Sequence, residues 1–433
     1  MLYRIASDAD AYDRQMNTAI MRYQKFIYTI TGAEVPDTIS ANNKLASNFF
    51  RRFCVQRNQY SLGNGITFTK DGVKGKLGND FDTALQQLGY AAIIHGVAFG
   101  FWNMDHLVAF KVTEFVPLWD EFTGLLKAGI RFWQIESDRP MKITLYELDG
   151  YTSYQMNDGN VKVTQEKRAY KQIVRSTPAT GDEIIGGENY PGFPIVPLWG
   201  SDLRQSALIG IRPSIDSYDL IRSGFANDLT ACALIYWIIE NAGGMTDYDK
   251  AQFVQQLRTK HLATIDADGG VKITPYTQDI PYESRTAYLD RLREGLYEDF
   301  GALDVRSISA SAKTATEINA AYQPLDENAD AYEYQLIGFV RGILALQGAD
   351  AVPIFKRNRI ANVEEETQTI LMAAAYLDDE TVLKKLPFIS PDEVDEILAR
   401  KDKAEQSRVK QLEAQVEALQ QPAEGEDGAP GEE

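Results

Sequence analysis

Apolar and polar positions mix without a sustained period over residues 1–40, which predicts short polar helix and loop. Ser40 then opens a stretch in which Leu45, Phe49 and Phe53 recur every four residues. That spacing places one apolar face on a helix capped by Ser40. The run Leu62-Gly63-Asn64-Gly65 stops it as a turn. Phe81 to Phe101 is apolar enough to predict a central helix. From Leu107 to Lys171 the period drops to two. Runs such as Ile143-Thr144-Leu145-Tyr146 lie among the turns Asp149-Gly150 and Asn157-Asp158-Gly159, the pattern of an antiparallel meander. Ser176 to Phe193 is rich in Gly and Pro and reads as a loop.

Past Pro197 the period returns to three and four. Ile211, Ile215, Tyr218, Phe225, Leu229, Cys232, Tyr236 and Ile239 form one stripe, with Arg222 in the single gap. They predict one helix of about 30 residues, roughly 45 Å long at 1.5 Å per residue. Gly243-Gly244 would end it. Met245 to Gln278 reads as a compact insert: a short helix from Asp247 to Arg258, then a hairpin through Asp266-Ala267-Asp268-Gly269-Gly270. A second helix, Tyr282 to Phe300, carries Leu289, Leu292, Leu296 and Phe300 on one side. Leu303 to Thr314 is small and polar, with no pattern that would bury it. A third long helix follows, with Ile318, Tyr322, Leu325, Ala329, Tyr332, Leu336, Val340 and Ile343 at the same spacing, and Pro324 inside it predicts a kink. Val363 to Arg400 reads as shorter helices broken at Pro387-Phe388 and Ser390-Pro391. Val409, Leu412, Val416 and Leu419 mark a short amphipathic helix, and the acidic, low-complexity PAEGEDGAPGEE segment reads as disordered. The class is α+β, mainly helical.

The 433 residues are enough for several packed units. Two cysteines, Cys54 and Cys232, exclude a disulfide framework and fit a reducing compartment. The amino end lacks a basic region followed by an apolar one, so no signal peptide is expected. The longest apolar runs, Tyr90 to Trp102 and Ala231 to Ile239, fall short of the ~20 residues of a membrane span. A soluble protein made in a cytoplasm is the expectation. With 62 acidic and 44 basic residues the net charge is -18. Tight binding of duplex over the whole surface is therefore not expected, because such binding rests on Lys and Arg neutralising phosphates. A conduit through which DNA must slide would need weak, repulsive walls, and the acid balance fits one.

Motifs for catalysis are missing. Gly72 to Gly78 has the wrong spacing for a phosphate-cradling GxxxxGK[ST] loop, and no HExxH occurs. His95, His106 and His261 share no motif and read as ordinary core or surface histidines. Asp266, Asp268 and Gly269 have the start of a calcium loop but not its downstream Glu; a hairpin turn accounts for them. Glu364-Glu365 is a solvated helix face. No catalytic, cofactor or metal residue is assigned, and no enzyme is expected.

Several runs resemble the portal proteins of tailed double-stranded DNA phages, in the branch typical of siphophages of Gram-positive hosts. Pro194-Ile195-Val196-Pro197, Ile215-Asp216-Ser217-Tyr218-Asp219, Ser223 and Asn227-Asp228 are similar to one stretch of that family. Ile354-Phe355, Asn358, Thr381-Val382-Leu383, Leu386-Pro387-Phe388-Ile389 and Asp392-Glu393-Val394-Asp395-Glu396-Ile397 resemble its ending, and Lys44 to Gly63 its early helix. The order of parts matches as well, over residues 40–400 or so. The insert and the polar loop match by position only.

The resemblance implies a ring, usually of twelve subunits, at one capsid vertex, made in the host cytoplasm and carried in the virion. Residues 1–205 and the kinked helix 315–350 would form the wing. Residues 206–242 and 281–302 would be the stem helices, 243–280 the clip, 303–314 the tunnel loop and 351–408 the crown, with 409–433 the short helix and acidic tail. Duplex DNA would pass through the centre, against Arg306, Ser307, Ser309, Ser311 and Lys313 of the tunnel loop. The clip, with Lys250, Arg258 and Lys260, would dock the terminase large subunit and later head-completion and tail-adaptor proteins. Major capsid and scaffolding proteins would be further partners; no membrane and no cofactor is implied. Two stem helices bury little on their own, so Phe225, Leu229, Tyr236, Leu292 and Leu296 are expected to meet neighbouring copies. A nucleic-acid-processing enzyme with an unrecognised motif and a non-DNA adaptor oligomer are the alternative readings. An activity assay separates the first and an image of a holed ring the second.

Overall fold

In the computed structural model the described residues are all but 1, 30, 39, 71, 178–180, 233–235, 241–245, 261–271, 277–280, 307–314, 360–362, 387–388, 390 and 421–433. Two units are distinguishable, Met1–Asn358 and Arg359–Glu433.

The first unit opens with α1 (Leu2–Asp13), α2 (Thr18–Arg22) and a small ribbon of β1 (Phe26–Tyr28) and β2 (Glu34–Pro36). Next come α3 (Phe49–Leu62), β3 (Ile66–Phe68) and α4 (Phe81–His95). The predicted start of α3 at Ser40 is too early. Residues 41–48 are not helical, because the backbone N–H groups of Asn43, Leu45 and Ser47 are taken by side chains of a later helix. The predicted end of α4 at Phe101 is too late. Gly96 terminates it with φ of +91°, and a Cβ there would lie 2.6 Å from the backbone of Gln205. The chain continues as β4 (Val97–Asn103) and returns as β5 (His106–Lys111). Apolar runs of this length suit a buried strand as well as a helix, and periodicity alone does not separate them.

The meander is borne out. β6 (Phe115–Trp119), β7 (Leu126–Trp133), β8 (Met141–Glu147), β9 (Gly150–Asn157) and β10 (Asn160–Arg168) form one sheet in sequential order, all pairs antiparallel. Asp158 and Gly159, at φ +48° and +79°, make the two-residue turn between β9 and β10. The predicted loop from Ser176 to Phe193 instead contains a paired strand. β11 (Lys171–Thr177) and β12 (Gly181–Glu188) are antiparallel partners, with a register shift at Ile173/Val174 that accommodates the glycine-rich run. β13 (Ile195–Trp199) then pairs with β4, setting Pro197 opposite Phe99 and completing the sheet β13-β4-β5.

α5 (Leu208–Cys232) is shorter than the predicted helix. Tyr236 and Ile239 lie in β14 (Tyr236–Glu240), whose aromatic and β-branched side chains favour a strand. β14 pairs with β15 (Lys272–Tyr276), Tyr236 opposite Tyr276 and Glu240 opposite Lys272. α6 (Asp247–Lys260) lies between them, while Gly243-Gly244 and the predicted hairpin at 266–270 are outside the described residues. α7 (Tyr282–Phe300) has its predicted bounds, and Gly301 ends it at φ +65°. α8 (Ala315–Leu346) runs through Pro324. β16 (Pro353–Phe355) pairs with β3. Residues 351–358 therefore belong to the first unit and not to a crown: the Asn358 N–H donates to the Tyr60 carbonyl, and Arg357 bonds Asp326, Asp330 and Glu333 of α8.

The core of this unit lies between α4, the β13-β4-β5 sheet, α3 and α8. Phe53, Phe81, Leu85, Leu88, Phe99, Trp102, Phe110, Leu336 and Phe339 are buried in it. The second unit consists of helices Val363–Ala373, Asp379–Lys385 and Pro391–Gln420. Asp378 caps the middle one by accepting the Thr381 N–H. The last continues well past the predicted end at Arg400 and takes in Val409 and Leu412; the acidic tail lies outside the described residues.

Candidate functional site

Three features meet along α5 and α7: a polar ladder, a paired-helix seam and an anchored loop base. The ladder is built by helical spacing. Arg212, Asp216, Asp219, Ser223 and Asn227 follow one another by four, three, four and four, so they share one face of α5. That face grips the chain amino-terminal to α3. The Asp219 carboxylate accepts the Ser47 N–H at 2.8 Å and the amide of Asn17. Ser223 Oγ accepts the Leu45 N–H at 2.9 Å, and Asn227 Oδ1 accepts the Asn43 N–H at 2.6 Å. Tyr12 donates to Asp216, while Arg212 reaches Asp8 and the Thr18 hydroxyl, each at 3.1 Å. Asp219, Ser223 and Asn227 are all buried. Burial pushes the Asp219 carboxyl above its ordinary value, against the lowering effect of its hydrogen bonds from Asn17 and Ser47.

The seam joins α5 to α7. The Phe225 ring lies 5.6 Å from that of Tyr282, the Arg285 guanidinium is 5.9 Å from the Phe225 centroid, and Arg285 forms an ion pair with Asp228. The seam leaves a cleft of about 360 Å³. Farther along α7, Leu296, Tyr297 and Phe300 enter the core, where Phe53 stands 5.0 Å from each of the two rings.

The loop base follows α7. Gln56 of α3 holds the backbone of Leu303 on both sides, accepting its N–H and donating to its carbonyl, each at 3.0 Å. Arg293 donates to both carboxylate oxygens of Asp304 at 2.7 Å. Burial works against the Arg293 charge, yet the bond and charge of Asp304, together with Tyr297, outweigh it and raise the guanidinium pKa. Leu303 is buried with Tyr60, Tyr322, Leu325 and Ala329, so the segment is not free of burial at its start, contrary to the sequence expectation. Its side chain joins a cluster whose other members come from α3 and α8.

The predicted site residues divide accordingly. Phe225 is partly covered by Tyr282 and Arg285, so it is not bare of intrachain cover, while Leu229 is 52% exposed. Leu292 is half-buried. Leu296 has no exposed surface and is a core residue, which removes it from any interface between copies. Tyr236 leaves the helix for β14. Lys250 is exposed on α6 and paired with Asp247 at 3.0 Å; Arg258 and Lys260 belong to the last turn of that helix. Thr246 and Asp249 cap it reciprocally, Asp249 accepting the Thr246 N–H and Thr246 Oγ the Asp249 N–H. Arg306 sits at the loop base, its N–H donated to Asp304; Ser307, Ser309, Ser311 and Lys313 lie outside the described residues. The structural roles of Asp219, Ser223 and Asn227 went unread in sequence, although their three-four spacing on a polar helix face was a usable signal.

Other candidates for chemistry are structural. His95 Nε2 lies 2.8 Å from Asp10 in the core, His106 pairs with its neighbour Asp105 at the surface, and His261 is outside the described residues. Cys54 is buried, which raises its thiol pKa. Among the described residues no group of three or more His, Cys, Asp or Glu side chains could hold a metal ion. No helix among them is long and apolar enough to cross a membrane.

A family model described as phage portal protein, SPP1 Gp6-like, matches residues 5–407. The chain is 24% identical over 415 residues to the portal protein of Bacillus phage SPP1, covering 88% of this chain and 80% of that protein. It is 22% identical over 412 residues to the portal protein of Clostridium phage phiCD119, covering 86% of this chain and 87% of that one.

Proposed function

The chain belongs to the SPP1 Gp6-like family of phage portal proteins, structural components of the capsid that serve in DNA packaging, and from that premise we propose how its parts do so. Copies of the chain assemble into a closed ring, twelve in the usual arrangement, at a unique capsid vertex beside the major capsid and scaffolding proteins. Duplex DNA enters and leaves through the central hole. α5 and α7 form the stem, and the unit around α4 and the sheets forms the wing. The insert carried on β14 and β15 is the clip, which docks the terminase large subunit during packaging and head-completion and tail-adaptor proteins afterwards. Residues 303–314 face the duplex, and the crown begins beyond Asn358.

The observation that carries this reading is the outer surface of the stem pair. α5 and α7 cover each other along the Phe225 seam, yet Leu220, Leu229 and Tyr288 stay 44%, 52% and 47% exposed. Apolar side chains left bare on two packed helices ask for further cover, and in a closed ring the adjoining copy supplies it. The net charge of -18 per chain, repeated around such a ring, gives a tube that holds DNA loosely. Negative-stain imaging of purified protein tests the proposal. Closed rings with a central hole are the expected result; a stable monomer by light scattering, or a solid particle, contradicts it.

A further inference from the structure

The last helix, Pro391–Gln420, is covered near its start and bare further on. Val394 is buried, and Ile397 and Leu398 are half-buried where the helix packs against Asp379–Lys385. Lys401 closes that contact with an ion pair to Asp379. Beyond it every described side chain from Asp402 to Leu412 is exposed, and two of them are large and apolar: Val409 at 52% and Leu412 at 55%. In sequence Val409, Leu412, Val416 and Leu419 are spaced three, four and three, the a, d, a, d pattern of two heptads. One heptad earlier the same positions hold Asp402 and Glu405, so the stripe starts at Val409. An a/d stripe on an otherwise polar helix is too narrow for a broad apolar surface and suits a second helix of the same kind.

We propose that this stripe pairs with the same stripe of another copy of the chain, as a parallel two-stranded coiled coil of two heptads. Two features of the sequence select that occupant. Valine at both a positions with leucine at both d positions is the combination that favours two parallel strands. Arg408 stands at g and Glu413 at the next e, five residues on, so in a parallel pair Arg408 of one copy meets the partner's Glu413, and the reverse. For its strength the seam rests on the ring reading. Two heptads alone are marginal, and copies held side by side in one orientation supply the effective concentration that they lack. One stripe serves one neighbour, so the helices join two by two around the ring.

Cross-linking of the full chain with a mild oxidant tests the seam. Leu412→Cys puts a thiol at d, where two parallel helices approach, and Ala414→Cys puts one at f, on the far side. Both are compared with wild type, which carries Cys54 and Cys232. The expected result is several-fold more disulfide-linked dimer from Leu412→Cys than from Ala414→Cys. Adding Arg408→Glu should remove most of that excess, and adding Glu413→Arg as well should restore it. Equal linking at the two positions, or none above wild type, overturns the proposal, as does an excess that Arg408→Glu leaves intact. A partner of another kind on the stripe would shield Leu412→Cys and give that negative result. Negative stain of the same samples separates the seam from the ring. Rings without the excess remove the seam alone, and linked dimers without rings keep the seam and remove the ring reading.

Discussion

Asp219 shows how much one buried carboxylate does for this chain. It fixes the backbone at Ser47 and the side chain of Asn17, two groups nearly two hundred residues away in sequence. Replacing it with Ala leaves the Ser47 N–H and the Asn17 amide without their partner in a site that excludes water. Asp219→Ala is expected to lose roughly 1.5–3 kcal/mol in denaturant unfolding, the range for hydrogen bonds to a charged group. The same carboxyl makes stability pH-dependent. Its folded pKa is raised by burial above the ordinary value of about 3.9. The folded chain therefore holds this proton more readily than the unfolded one. Its contribution is full below the ordinary value and is lost as pH rises through the raised folded value. Asp219→Asn removes that titration, so the variant should gain on wild type as pH increases over that window; parallel stability curves across it would contradict the assignment. The residue was visible in sequence only as a member of a helical run. That it faces Ser47 depends on contacts across the whole fold, which local spacing does not encode.

Among the elements, α7 was legible to the residue, because a clean three-four stripe ends at a glycine that adopts a left-handed conformation. α4 and α5 were overextended for a common reason. Past His95 and past Cys232 the apolar positions go on, but the backbone switches to strands whose partners, β13 with β5 and then β15, come from distant sequence. A hydrophobic run says that a segment is buried and leaves open which partner buries it. The same limit explains the stripes of α5 and α7, the proposed stem. Stripe membership alone did not separate side chains that fill the core from those left bare. Three substitutions make the separation measurable. Leu296→Ala, in the core, should cost about 2–5 kcal/mol of stability. Phe225→Asp, against Tyr282 and Arg285, should lower the Tm of unassembled protein and weaken assembly too. Leu229→Asp should leave the monomer's Tm unchanged and weaken assembly, read by light scattering. Equal loss of monomer stability for Phe225→Asp and Leu229→Asp would show that Leu229 has an intrachain partner.

For the whole molecule the question is how the proposed ring, acidic overall, both passes DNA and keeps it. Two segments of the proposed assembly are separable from ring formation. In the proposed clip, α6 carries Lys250, Arg258 and Lys260, and reversing these three charges should leave rings intact in negative stain while reducing terminase stimulation. The opposite outcome, broken rings, would make the insert an assembly element. The segment 303–314 bears on retention. Its start is held by Gln56 and by the Arg293–Asp304 pair, so the backbone leading to Arg306 is fixed. Beyond it the sequence offers small hydroxyl residues and Lys313. Hydroxyls donate weakly to phosphates, and one or two basic groups per copy position a duplex without trapping it. Repeated around the proposed ring, they would make a positive belt inside a tube that is otherwise acidic, and such a belt would resist backward slip. Arg306→Glu with Lys313→Glu should therefore leave ring formation and prohead assembly normal but lower the amount of DNA retained in filled heads. The effect should shrink as salt is raised, since salt screens both the wild-type attraction and the repulsion that the Glu pair introduces. Arg293→Ala, which releases the loop base without altering a DNA-facing charge, should lower retention as well if the fixed geometry matters. Full-length genomes packaged and retained by the Glu pair at wild-type levels would remove these residues from the DNA path.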